Sequence, residues 1–241
     1  MTPELEHSHD ADAIAARLAE GPRPSYLSDA VYGAIDGAIT TFAIAAGAIG
    51  AGLSARVVLI LGGANLLADG FSMAAGNFVG TRADRERYAQ LQAQEDRHIT
   101  LDPAGETREI REIYRGKGFH GAALDAITRL ITSRRKVWLD TMLAEEYGLS
   151  AATRSPLHAA ATTFCAFVTA GSLPLLPFLF GVPNAAVVST AATGLVFLLI
   201  GSIKSRWSQR SWWVSSLETF AIGMIAAAIA YLIGYGLEKL V

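Results

Sequence analysis

The chain has 241 residues, 51% of them hydrophobic, with a formal net charge of −2 at pH 7 and a mean hydropathy of +0.33. These values fit a small polytopic membrane protein better than a soluble domain, and the charge balance leaves no basic footprint for nucleic acid. The one cysteine, Cys165 in an apolar segment, excludes an internal disulfide and reads as packing.

The first 25 residues have neither a basic n-region nor an apolar h-region, so they do not read as a secretory signal. Glu4, Glu6, His7, His9, Asp10 and Asp12 lie close together there and could loosely hold a metal. A solvated, mostly disordered cytoplasmic tail over 1–25 is the expectation. Two apolar spans follow within 26–80: VYGAIDGAITTFAIAAGAIGAGL from Val31 and VVLILGGANLLADGFSMAAGNFVG from Val57. Each reaches the roughly 20 residues that cross a bilayer.

Both spans carry an aspartate, Asp36 and Asp69. A charge at the bilayer centre costs about 2.5–3.5 kcal/mol on insertion scales, so an intramembrane Asp is a functional candidate by default. The plainer alternative is that the two snorkel from helix ends or bond across the helix pair. Residues four apart share a helix face, which places Asn65, Asp69, Met73 and Asn77 on one stripe. Carboxylate, amide and thioether together suit a borderline metal such as Fe²⁺ better than Mg²⁺ or Ca²⁺; alone, Met73 reads as packing.

A polar insert over 81–157 holds 13 of the 20 Lys and Arg residues. It is predicted to start as a helical extension of the second span, ADRERYAQLQAQEDRH, and to break at LDPAG. A second helix, ETREIREIYRGKGF, repeats Glu106, Glu109 and Glu112 every three residues; a third, DAITRLITSRRKVWLDTMLAEEYGL, ends near Met142 and Glu146. Glu95 and His98 stand at the i, i+3 spacing that di-iron bundles use, but a second such pairing occurs only around Glu4–His9 in the tail. Acidic and basic residues nearly balance, so a charge-laced solvated face is the ordinary alternative. Metal handling is favoured by the coincidence of Glu95/His98, Glu106/Glu109 and Met142/Glu146 on three short helices.

Within 158–241 three further spans are expected, near 159–180, 184–203 and 214–236, joined by a VPN turn and a basic KSRWSQR loop. Five spans put the N-terminus, the insert and that loop on one side with 18 of the 20 positive charges, which the positive-inside rule makes cytoplasmic. Trp207, Trp212 and Trp213 read as an interfacial anchor. Pro174 and Pro177 should break or kink the third span. Gly33 and Gly37 predict close helix contact, within one chain or across a dimer. The expected fold is thus all-α, a polytopic membrane protein with five transmembrane helices and a helical insert between the second and third. Five spans without an evident internal repeat would be completed by a symmetric dimer, with Asp36 and the Asp69–Met73 face lining a shared path.

DGAITTFAIAAGAIGAGLS (36–54), ANLLADGFSMAAGNFVG (64–80), EIREIYRGKGF (109–119), WLDTMLAEEYGL (138–149) and GSLPLLPF (171–178) make the chain resemble the vacuolar iron transporter family of Fe²⁺/Mn²⁺ carriers, as a bacterial-type member, from about Tyr26 to Gly236. The resemblance implies a homodimer of five-helix protomers that exports Fe²⁺, or Mn²⁺, from the cytosol in exchange for H⁺, with metal as substrate and no resident cofactor. The membrane would be the cell membrane in a bacterium and vacuolar in a eukaryote. It assigns the transmembrane metal path to Asp36 and Met73, and the insert's metal ligands to Glu95, Glu106, Glu109 and Glu146, with His98 at a position often acidic and Met142 as the thioether. Asn65 stands where plant-type members carry Glu, and Leu143 where they carry a second Met; Asp69, one turn from Asn65, offers a carboxylate on the same stripe. The competing expectations are a membrane-tethered ferroxidase and a metal sensor built on the insert. No nucleotide-binding motif is present.

Overall fold

A computed structural model describes residues 8–21, 24–150, 154–206 and 210–240; Glu4, Glu6 and His7 of the tail cluster, and Trp207, lie outside them. In chain order the helices are α1 (Ala11–Glu20), α2 (Leu27–Gly50), α3 (Ala55–Leu101), α4 (Pro103–Gly116), α5 (Gly121–Thr132), α6 (Arg135–Glu145), α7 (Pro156–Ser172), a 3₁₀ turn at Leu173–Leu175, α8 (Leu176–Leu179), α9 (Ala185–Ser205) and α10 (Trp212–Glu238). The chain is an all-α polytopic membrane protein: among the described residues, five helical stretches are long and apolar enough to cross a bilayer. It divides into a membrane unit (25–81 with 155–241) and an insert unit (1–24 with 82–154).

In the membrane unit, small residues let backbones meet. A Cβ on Gly33 would stand 2.5 Å from the Thr163 carbonyl oxygen, and one on Gly37 would strike the Phe167 backbone. One on Gly171 would stand 2.6 Å from the Gly37 oxygen. The close contact predicted for the first span therefore lies within the chain, between α2 and α7. On the other flank Gly234 of α10 abuts the Gly47 backbone of α2. Ala45, Ala48, Val58, Leu66, Phe167, Leu175 and Phe178 form one buried cluster, and Ala38, Phe42, Ala46, Ala170, Phe197 and Ala227 a second. Large apolar side chains such as Ile60, Leu67 and Phe71 face outward, as lipid contact requires.

The prolines end α7 at Ser172 and insert the 3₁₀ turn. Within a bilayer a broken turn persists only where its freed backbone groups find partners: the Pro174 carbonyl accepts a 2.7 Å hydrogen bond from the buried Ser189 hydroxyl. Asn184, at φ 54°, closes the turn into α9, a left-handed conformation that asparagine tolerates.

The insert unit packs Ile99, Ile110, Ile131, Trp138 and Met142 into its own core. Asp102 caps α4, its Oδ1 accepting the Gly105 N–H at 2.9 Å, with Pro103 in the first turn; the LDPAG break is thus a single interhelical residue. Two expectations are corrected. The tail is helical over α1, whose ADAIAARLAE sequence is rich in strong helix formers. The single third helix is two, α5 and α6. Thr132 and Ser133 turn their hydroxyls back onto the carbonyls of Thr128 and Leu130, a competition that weakens a helix at that point. Arg134 is then extended.

Gly37→Ala should lower stability by about 1–3 kcal/mol, the usual cost of overpacking, whereas Gly63→Ala, where a Cβ meets nothing within 4 Å, should be neutral or stabilising. Thermal unfolding of both variants in detergent checks the pair.

Candidate functional site

In the insert, α3 supplies Glu95 and His98, and α4 supplies Glu106. One ligand atom from each lies within 4.8 Å of the others. His98 Nδ1 stands 3.6 Å from Glu95 Oε1 and 3.5 Å from Glu106 Oε1, longer than a hydrogen bond. Ligand bonds of about 2.0–2.2 Å place neighbouring donor atoms about 3–4 Å apart, so these three can converge on one ion. Glu95 and Glu106 are 1% and 5% exposed, and Oε2 of each is buried without a hydrogen-bond partner. The imidazole is 47% exposed, which leaves the cluster open to solvent on that side.

Two more carboxylates act on this group. Burial pushes the Glu106 carboxyl up to about 7, helped by Glu109, Glu95 and Glu146 and opposed by His98. Glu146 is likewise raised, first by burial and then by Glu95. The insert thus brings together Glu95, His98, Glu106, Glu109 and Glu146. It does not bring in Glu112, which faces solvent and pairs with Arg115. Met142 is fully buried in the apolar core beside Ile110 and Trp138, a packing position, one turn before Glu146.

In the membrane unit Asp36 of α2 and Asp69 of α3 are both partly buried and lie within electrostatic reach of each other. Asn65 presents a buried amide nitrogen with no partner. Met73 packs against the Ala45–Phe167 cluster. Asn77, expected on the path, ties helices together. Its amide nitrogen donates to Asp29 Oδ1 at 2.9 Å and Thr163 Oγ1 at 2.7 Å, with Ala159 O at 3.4 Å, and its oxygen accepts from Thr81 at 3.2 Å.

Two residues escaped the sequence reading. Buried Asp29 lies seven residues before Asp36, hence on the same helix face, but just outside the span as drawn. Tyr147 donates its phenolic O–H to Glu95 Oε1 at 2.8 Å; its adjacency to Glu146 was the available signal.

The model of the VIT family matches residues 27–235. The chain is similar to vacuolar iron transporter 1 of Tulipa gesneriana, 31% identical over 85% of this chain and 84% of that protein. It is also similar to vacuolar iron transporter 1 of Arabidopsis thaliana, 30% identical over 85% and 83%. The vacuolar iron transporter of Toxoplasma gondii is 30% identical over 90% of this chain and 76% of its own length.

Because the folded Glu106 carboxyl sits near 7, above its ordinary 4.5, the metal-free insert holds that proton more tightly than the unfolded chain does. Its contribution to stability is present at acid pH and is lost as pH rises through about 7. Amide exchange across α4 in the full chain, corrected for intrinsic rates, should quicken over that range. Addition of Mn²⁺ should suppress the effect, with proton release, since metal and proton compete for the same oxygens.

Proposed function

The chain belongs to the VIT family, and from that premise we propose that it carries Fe²⁺, with Mn²⁺ as a second cargo, out of the cytosol across a membrane in exchange for protons. The observation that supports an ion-handling role for the insert is the pair of buried oxygens, Glu95 Oε2 and Glu106 Oε2, that no protein group satisfies beside an imidazole at ligand distance. A buried carboxylate costs free energy unless it is paired, hydrogen-bonded or bound to a metal. A divalent cation supplies what the protein withholds.

In this reading the insert is cytoplasmic and captures the ion with Glu95, His98, Glu106, Glu109 and Glu146. Its function is to raise the supply of ion to the transmembrane path. The path uses Asp36 and the Asp69–Met73 face of α3, with the unpartnered Asn65 amide as a polar wall for an ion's water shell. Two neighbouring carboxylates in a low-dielectric setting can trade one divalent ion for protons, because either neutralises their mutual repulsion. Exchange then follows without ATP. The working unit is a homodimer, in which each protomer contributes its Asp36 face to a shared route.

Two experiments test this. In proteoliposomes under an imposed pH gradient, Fe²⁺ entry should depend on the gradient and move protons the opposite way; metal binding without flux would leave the chain a sensor. In the same assay Asp36→Asn and Asp69→Asn should each abolish flux while size-exclusion profiles stay unchanged. Glu106→Ala combined with Glu109→Ala should slow uptake at low Fe²⁺ and spare it at saturation. Unchanged uptake at low metal would reduce the insert to a scaffold.

A further inference from the structure

The carboxylates and imidazole of the insert are touched by a neutral donor as well, the phenol of Tyr147. We infer that Tyr147 is a positioning residue of that site, its hydroxyl fixing the orientation in which the Glu95 carboxylate meets the ion. The inference rests on the insert's binding metal.

Tyr147 lies just beyond α6, where Gly148 at φ 65° reverses the chain and the Leu149 N–H returns to the Leu143 carbonyl at 2.9 Å. The Tyr147 O–H donates to Glu95 Oε1 at 2.8 Å.

The bond divides the Glu95 carboxylate into two unlike halves. Oε1 is engaged by the phenol, while Oε2 is buried without any partner. A carboxylate free to rotate can offer its oxygens in many directions; one held by an outer hydrogen bond is presented in a fixed orientation. Outer partners of this kind orient metal ligands, and their loss typically costs 10–100-fold in affinity. A phenol suits the task because it donates without adding charge to a cluster whose charge must be balanced by the ion. Were Tyr147 only packing the end of α6, the ring would suffice and the hydroxyl would be dispensable.

The test uses the full-length chain in detergent with Co²⁺ as probe, whose visible absorption reports coordination geometry. The Glu106→Ala/Glu109→Ala variant marks the part of the signal that belongs to the insert. Tyr147→Phe, which keeps the ring, should weaken that insert-dependent binding about 10–100-fold, change the Co²⁺ spectrum at saturation, and leave the metal-free protein folded, with a size-exclusion profile and helical circular dichroism like wild type. Wild-type affinity and spectrum in Tyr147→Phe would overturn the inference, as would a variant whose loss of binding tracks loss of folding with an unchanged spectrum at saturation. A phenolate-to-iron charge-transfer band on adding Fe³⁺, absent in Tyr147→Phe, would make Tyr147 a direct ligand and also overturn it. If instead wild type and the Glu106/Glu109 variant bind Co²⁺ alike, the metal site itself is refuted, a result distinct from failure of the tyrosine's role alone.

Discussion

Glu95 and Glu106 place two like charges in the interior of a small helical unit, and most of what is distinctive in that unit follows from the need to accommodate them. Taking a carboxylate out of water costs several kcal/mol even after relaxation. Here the protein offers partial compensation: the Tyr147 hydroxyl on Glu95 and an imidazole at 3.5–3.6 Å. Among the described residues, four nearby Arg and Lys side chains are paired with other carboxylates: Arg111 with Asp125, Arg115 with Glu112, Lys117 with Glu145 and Arg135 with Asp96.

The apolar core beneath the cluster makes this tenable. Ile99, Ile110, Ile131, Trp138 and Met142 pack the helices together, so the acidic face does not have to supply cohesion. Repulsion among Glu95, Glu106, Glu109 and Glu146 is carried by hydrophobic burial on the other side of the same helices. Met142 belongs to this supporting layer.

The membrane unit answers a different constraint, that hydrocarbon offers no hydrogen-bond partners. The break at Pro174 is tolerated because Ser189 reaches its carbonyl, and the buried Asp29 is met by Asn77. Asn77 also reaches Thr163, so one amide links α2, α3 and α7 where the glycine-mediated contact of Gly33 and Gly37 with α7 already brings backbones close. Asp36, Asp69 and Asn65 lie outside these networks, and among the described residues the Asn65 amide nitrogen, like the Thr41 hydroxyl, is buried without a partner.

Length and hydropathy sufficed for the five spans, because twenty apolar residues have few alternatives in water or lipid. Helical spacing sufficed for the Asp69 stripe and for Glu95 with His98, since positions three and four apart must share a face. Tertiary structure decided the rest. That Asn77 ties helices while Asn65 stays unpartnered depends on what α2 and α7 present across the gap, which no periodicity within α3 encodes. Glu112 falls in the same three-residue series as Glu106 and Glu109, yet Arg115 claims it. The split between α5 and α6 turned on two hydroxyls bonding backwards, a local competition invisible to hydrophobic pattern. Tyr147 meets Glu95 across 52 residues of chain, a pairing that no local pattern encodes. Sequence alone determined which residue types were present and which face of its helix each occupies; the assembled helices decided which were satisfied by the protein and which were not, because hydrogen bonds and Coulomb forces act across space and not along the chain.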